Sequence, residues 1–559
     1  MASSTSSPSS PSPPEVPMEL HAANRRKLFD LFRDHLSLSS RSLHGFVLLQ
    51  GGEEQTRHCT DHIELFSYVM RQTLQVSVST LNKPYLRIWK PCIILISKLG
   101  SEIHLISYKA SETGRYMNRW ATRQESYFAY LFGVEGPGFY GAIDVATGES
   151  ILFAPRLPAD YAVWLGEIKP LSYFKEKYMV TSVYYTDEIA KVLHGQYQGP
   201  GKPLLYLLHG LNTDSNNFSR PADFEGIDNF EKDLNALHPI LTECRVLKSE
   251  LELALIQFAN DISSEAHVEV MRKTKVGMKE YQQESLFLHH TYMYGGCRHC
   301  SYTCICATGD NSAVLHYGHA AAPNDRTLQD GDMALLDMGA EYHFYGSDIT
   351  CSFPVNGKFT PDQSLVYNAV LRAHDAVISS MRPGVNWVNM HKLAERTILE
   401  SLKEGQLLHG DVDAMTDERL GAVFMPHGLG HLLGIDTHDP GGYLKGAERP
   451  TEPGLRSLRT SRELLEGMVI TVEPGCYFID ALLLPAMENK QTSKYFNHEK
   501  INRFRGFGGV RIESDVYVTC DGCVNMTKVP REIQEIEAVM AGAPWPLKKT
   551  SISHANGET

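Results

Sequence analysis

The sequence predicts a chain of at least two domains, the first of α/β type and the second opening on a long helix. Three observations predict it. The length of 559 residues exceeds what one ordinary hydrophobic core supports. From Arg123 to about Leu247, short apolar strands alternate with helical patterning. At Lys248 the pattern changes to a sustained helical period, which places a domain boundary near Val246.

The elements follow in order. Residues 1–17 are Ser/Pro-rich with no apolar core and are expected to be disordered. They contain Glu15 and no Arg, a poor fit to a transit peptide. A helix is expected through Asn24–Phe32, then a buried strand over Gly45–Gln50, stopped by Gly51 and Gly52. Further strands are expected at Tyr140–Val145, Ser150–Phe153 and Lys202–Leu208, with a helix near Asp187–Leu193. Leu251, Leu255, Ala259, Ile262, Ala266 and Val270 mark one face of the helix that begins at Lys248. The end of the chain, 544–559, lacks periodicity and is expected to be disordered.

Composition excludes several classes. Hydrophobic content of 42% is that of an ordinary globular protein. A formal net charge of -13 with no dense basic run argues against a nucleic-acid surface. No run of eighteen apolar residues predicts a membrane span. Eleven scattered cysteines without a signal peptide read as reduced thiols in the cytoplasm. Four of them, with His299, crowd into Cys297–Cys306, which lacks the two separated pairs of a structural zinc site.

The chemistry gathers around Asp332–Thr350. Asp337 and Asp348 stand eleven residues apart, each near an apolar, β-prone run, as on two antiparallel strands with a short connection. Neighbouring strands can aim both carboxylates at one point. Two exposed acids on a hairpin would read the same way, but buried together they require a cation. Matching groups come later. His431 ends the stretch FMPHGLGH, Glu473 follows an apolar strand stopped by Pro474-Gly475, and Glu513 lies in a further strand, GVRIESD. Four carboxylates and one imidazole suit Mn²⁺, Co²⁺ or Zn²⁺, and four negative charges balance two divalent ions. His427 and His431 do not form a zincin motif, because the H-E-x-x-H glutamate is missing and two glycines oppose a helix. Likewise His209-Gly210-Leu211 is no nucleophile elbow.

These segments resemble the pita-bread metallopeptidases, and within them the prolidase family. The stretches that carry the likeness are SYTCICATGDNSAVLHYGHAAAPNDRT, DITCSFPVNGKFT, FMPHGLGHLLGIDTHDPGGY, EPGLRSLRT and RFRGFGGVRIESDV. The likeness runs from about Leu28 to Gly542. It implies an α/β N-terminal domain over 18–246 and an α+β pita-bread catalytic domain (creatinase/methionine aminopeptidase-like) over 247–543. It also implies hydrolysis of Xaa-Pro dipeptides by hydroxide shared between two divalent ions, with Mn²⁺ the first choice. Asp348 and Glu513 would bridge the ions, Asp337 would bind one, and His431 with Glu473 the other. Glu473 would also handle the proton. His316 and His438 would face the substrate carbonyl, Arg459 would grip the dipeptide's carboxylate, and Arg511 would orient ligands. His319 and His427 carry no assignment. The family further implies a homodimer, in which Trp164 reaches the partner's active site; a buried core tryptophan is the alternative. Residues 67–122 interrupt the likeness. They offer short strands at Ile93–Ile96 and Ile103–Ile106 and are read as translated intron, with a functional insertion as the alternative.

Two rival functions share the fold. Aminopeptidase P or methionine aminopeptidase would differ in substrate length, and a catalytically dead binding module would have lost ligands. All five stand here.

Overall fold

A computed structural model describes residues 13–41, 43–53, 124–317, 324–444 and 446–547, with the backbone of strands at 88–89, 92–99 and 102–107. Most of 67–122, together with His319, lies outside the described residues. The two strands expected there are present, as Cys92–Leu99 and Glu102–Ser107, paired antiparallel with Ile94 opposite Ser107.

The chain divides into two compact units, one of residues 21–211 and 215–240, the other of residues 1–20, 212–214 and 241–559. In the first, helix α1 (Glu19–Leu38) precedes a mixed six-stranded sheet. Its strands are β1 (Phe46–Gln50), β2 (Tyr140–Asp144), β3 (Ser150–Ala154), β4 (Ser182–Tyr185), β5 (Leu204–Leu207) and β6 (Glu231–Asp233), in the order β4-β3-β2-β1-β5-β6. The central strand β1 runs antiparallel to β2 and parallel to β5, and its Phe46 and Leu48 sit in one core with Phe153, Leu205 and Leu207. Trp164 is no core residue. It stands 64% exposed on the short helix Tyr161–Leu165.

The second unit opens on α2 (Glu250–Lys273), begun by a reciprocal capping box between Ser249 and Glu252. Four small sheets follow. The first aligns β7 (Ile305–Thr308), β8 (Met333–Asp337) and β11 (Thr350–Pro354), all antiparallel, with Asp337 opposite both Ile305 and Thr350. Between β8 and β11 the chain makes a separate hairpin, β9 (Ala340–Tyr342) and β10 (Tyr345–Gly346). The run before Asp348 is therefore not the expected strand leading to it. His343 and Phe344 are the two central residues of a tight turn, at φ of 44° and 72°, a geometry that matches strand twist even without glycine.

The later strands switch partners. β12 (Val469–Val472) pairs with β15 (Ser514–Val518), while β13 (Gly475–Tyr477) pairs with β14 (Gly509–Arg511). What reads as one strand over Gly509–Asp515 is thus broken at Ile512-Glu513, opposite the break at Glu473-Pro474. Proline has no N–H to give a ladder, and only its carbonyl takes part, accepting from the Ile512 amide at 3.3 Å. Helices α3 (Pro361–Ser380) and α4 (Trp387–Glu404) share the main apolar core with these strands.

Both chain ends reach further into ordered structure than their composition suggests. Val16 packs on buried Leu20 and Tyr345, and the Pro14 carbonyl accepts from the Tyr342 hydroxyl at 2.7 Å. Trp545 donates its indole N–H to the Lys528 carbonyl at 2.9 Å. Residues 1–12 and 548–559 lie outside the described residues.

Candidate metal centre

Two pairs of segments bring the acids together. Asp337 ends β8 and Asp348 precedes β11, so a pair of antiparallel neighbours supplies both. Glu473 and Glu513 occupy the two breaks where β12/β13 and β14/β15 exchange partners. A residue at such a break escapes the ladder, and its side chain is free to turn into the space between the sheets. The Glu513 amide instead donates to the Thr350 carbonyl at 3.2 Å, which ties that break to β11.

His431 arrives on an irregular segment laid along β12. Its amide donates to the Thr471 hydroxyl at 3.0 Å, its carbonyl accepts from the Thr471 amide at 2.9 Å, and the Glu473 amide donates to the Leu429 carbonyl at 2.9 Å. Gly430 permits this. A Cβ at that position would lie 1.9 Å from the Thr471 carbonyl oxygen. Gly339 plays the same part beside Asp337, where a Cβ would lie 1.8 Å from the Ser347 carbonyl oxygen.

Asp348, His431 and Glu513 are buried and present ligand atoms all within 4.8 Å of one another. His431 Nε2 stands 3.4 Å from Asp348 and 3.6 Å from Glu473, while its Nδ1 bonds the Leu432 carbonyl at 3.1 Å. A proton on Nδ1 leaves the Nε2 lone pair facing the carboxylates. Thr350 donates to Glu513 at 2.6 Å, and the Thr471 hydroxyl lies 3.4 Å from Glu473. Arg511 contacts Asp337, donates to Thr350 and to the Tyr477 hydroxyl, and lies 3.8 Å from Glu513.

The cluster is short of positive charge. Burial, with the charges of Asp348 and Glu473, pushes Asp337 up to about 7 although Arg511 opposes it. Burial and the neighbouring acids hold Glu513 well above the carboxylate range. Burial alone would depress His431, but its bond to Asp348 and the nearby charges raise it to about 9. Among the described residues, Asp337 Oδ1 is buried with no hydrogen-bond partner. An orphaned carboxylate oxygen, an imidazole lone pair and excess negative charge at one point fit a divalent cation.

Around this cluster lie residues that the sequence singled out and some that it did not. His438 packs edge-to-face on His431 with ring centres 4.4 Å apart, and burial beside His431 lowers it to about 4. Its loop is closed by the Asp439 amide, which donates to the Leu432 carbonyl at 2.9 Å, and by Asp436 and Asp439 on buried Arg245 and Lys248. Arg459 is half-buried, and desolvation lowers it. His316 is exposed on the turn after the short 3₁₀ helix Gly309–Ala313. His427 bonds the Tyr477 hydroxyl at 3.0 Å and stands 3.9 Å from Glu473. Asp515, two residues after Glu513, was missed; it accepts the Asp348 amide at 2.9 Å. Tyr302, buried against Asp337, Asp348 and Glu513, gives no sequence signal. Asp214 gives none either. Its carboxylate contacts Arg459 and lies 2.9 Å from His438 Nδ1.

Comparison with known proteins agrees with this geometry. Residues 254–520 match the profile of metallopeptidase family M24, and residues 95–206 that of the aminopeptidase P N-terminal domain. The chain belongs to metallopeptidase family M24 and is a metal-dependent hydrolase with an aminopeptidase P-type N-terminal domain and a pita-bread catalytic domain. It is 52% identical over 529 residues to the Xaa-Pro dipeptidase of Homo sapiens, covering 94% of both chains. A probable Xaa-Pro aminopeptidase of Pyrenophora tritici-repentis is 36% identical over 414 residues, 74% of this chain and 86% of that one. Among solved structures, zinc-substituted Escherichia coli aminopeptidase P in complex with product superposes with a TM-score of 0.66 at 25% identity, over 94% of this chain and 99% of that one.

Proposed function

We propose that the chain is an Xaa-Pro dipeptidase holding two divalent ions per subunit, Mn²⁺ foremost, with Co²⁺ and Zn²⁺ also suited to the ligands. The observation that carries this reading is the buried meeting of Asp348, His431 and Glu513, with Asp337 and Glu473 beside them and charge to neutralise. Asp337, Asp348 and Glu513 would hold one ion, and His431 and Glu473, with Asp348 and Glu513, would hold the other. Bound there, the ions would lower the pKa of a shared water and polarise the scissile carbonyl. Glu473 takes the water's proton at a carboxylate oxygen and passes it to the leaving proline nitrogen. His438 and His316 face the carbonyl oxygen, and Arg511 holds Asp337 in place from behind. Arg459 takes the dipeptide's carboxylate, since a planar guanidinium can grip both oxygens.

The bond before proline carries no N–H, so a site built on carbonyl polarisation tolerates it. The relatives' Xaa-Pro dipeptidase name and their identity over 94% of the chain support the dipeptide as substrate. Exposed Trp164 suits a residue that reaches a partner in a homodimer. Described cysteines such as Cys306, Cys351 and Cys476 are free thiols, which suits a cytoplasmic site of action. No helix among the described residues is long and apolar enough to cross a membrane.

The experiment is an assay on Gly-Pro and Gly-Pro-Xaa after reconstitution with Mn²⁺, with metal content measured on the same sample. Rapid Gly-Pro turnover with little action on the tripeptide is expected. The reverse preference would make the chain an aminopeptidase. Asp348→Asn is expected to abolish turnover and lose most of the metal. Wild-type stoichiometry in that variant would remove Asp348 from the ligand set.

A further inference from the structure

Asp214 stands between Arg459 and His438. One carboxylate oxygen contacts Arg459 and the other lies 2.9 Å from His438 Nδ1. The segment Asn212–Asp214 belongs to the compact unit that holds the metal centre. It is built rather than loose. The Asp214 amide donates to the Asn212 side chain at 2.9 Å, an Asx turn. Arg449 donates to the Thr213 carbonyl at 2.8 Å and, through its other terminal nitrogen, to the Leu458 carbonyl at 2.5 Å. One guanidinium therefore fixes both the residue before Asp214 and the residue before Arg459. Yet the three side chains keep access to solvent: Asp214 is 25% exposed, Arg459 27% and His438 36%.

A carboxylate already paired with Arg459 changes what that arginine can bind. The pair is neutral, and the acids of the metal centre lie nearby. A second carboxylate arriving from solution meets no net positive charge unless Asp214 gives way. We propose that Asp214 is a resident carboxylate that fills the Arg459 slot until the C-terminal carboxylate of a dipeptide displaces it, which makes Asp214 a specificity-determining residue. Displacement is an exchange of like for like. Asp214 leaves the arginine but keeps His438, so its own charge is not stranded. A ligand with a neutral C-terminus has no charge to offer in exchange, and the resident ion pair excludes it. This deepens the Xaa-Pro dipeptidase reading and rests on it for the substrate, though not for the test.

The test uses L-proline as the probe, with L-prolinamide, which lacks the carboxylate charge, as the control, on the full-length Mn²⁺-loaded protein. Calorimetry gives affinity without turnover. Asp214→Asn is expected to bind L-proline roughly tenfold more tightly, the lower end of what a charge-assisted hydrogen bond contributes. L-Prolinamide should change little. With Gly-Pro, KM should fall by a similar factor and kcat stay within about twofold. Asp214→Glu, which keeps the charge, should restore the wild-type KM, and it serves if the asparagine variant folds poorly. Arg459→Ala should abolish L-proline binding in either background. Weaker or unchanged L-proline binding in Asp214→Asn overturns the proposal, as does failure of L-proline to bind either protein. A fall in kcat at constant KM also overturns it, because that is the mark of a residue that only positions His438. Absence of Gly-Pro turnover in the wild type, with L-proline binding as expected, would instead overturn the substrate reading.

Discussion

At the scale of single residues, this centre is a problem in matched charge. Arg511 shows how a buried cation is made tolerable: it serves Asp337, Thr350 and Tyr477 at once, and the nearby acids outweigh its burial and raise it well above its usual value. Arg459 is the opposite case, a cation paired with one carboxylate, Asp214, and still in reach of solvent. Arg459→Lys keeps the charge but loses the planar fork, and the expected result is a roughly thirty- to hundredfold loss of Gly-Pro turnover. Metal content should stay at the wild-type level. A C-terminally amidated substrate should be poor for the wild type and nearly indifferent to the change. Equal slowing of both substrates would mean that Arg459 holds structure rather than substrate. The sequence made the arginine visible through its motif, but not its companion. Asp214 lies more than two hundred positions from either contact, on a loop with no periodicity, and only folding brings it there.

At the scale of elements, close backbone approach matters as much as side chains. Gly430 lets the His431 segment lie on β12, and Gly430→Ala forces a methyl group to within 1.9 Å of the Thr471 carbonyl. Backbone, not a flexible side chain, must move, so the cost is about 3 kcal/mol. Lower melting temperature and lower metal stoichiometry together are expected; full stoichiometry would show that the segment can shift without moving His431. The loop after it is held differently. Asp439 is buried between Arg245 and Lys248. Burial alone would raise its pKa, but the two cations outweigh that and hold it below the ordinary value of 3.8. A depressed carboxylate contributes stability that is complete above its unfolded pKa and is lost as pH falls through the folded one. Asp439→Asn should therefore melt lower at pH 7, by about 3–5 kcal/mol for cations left unpaired. Below about pH 4 it should lose less stability than the wild type does. Parallel acid profiles would remove Asp439 from the account. These elements were partly legible. The helix over Glu250–Lys273 follows from its apolar period. The breaks at Glu473-Pro474 and Ile512-Glu513 were hidden, because a run of alternating residues looks the same whether one partner or two receive it.

At the scale of the whole molecule, two family profiles cover the two parts of the chain, and the N-terminal one begins at residue 95, inside the segment 67–122 that the sequence reads as an interruption. Deleting Ser67–Thr122 is expected to leave a soluble protein with Gly-Pro activity, and transcript sequencing across the junction gives an independent check. Loss of folding, with transcripts that retain the segment, would establish it as a true part of the protein. Composition could not decide this, because two short β-prone runs are compatible with either origin. The partner exchange that places Glu513 also sets an order in time. Asp337 and Asp348 leave the ribosome long before Glu513, and until β14 and β15 are made, β12 and β13 lack the strands that pair them. A growing chain thus carries its first two acids early and closes their cage late, so metal loading is expected after synthesis rather than during it.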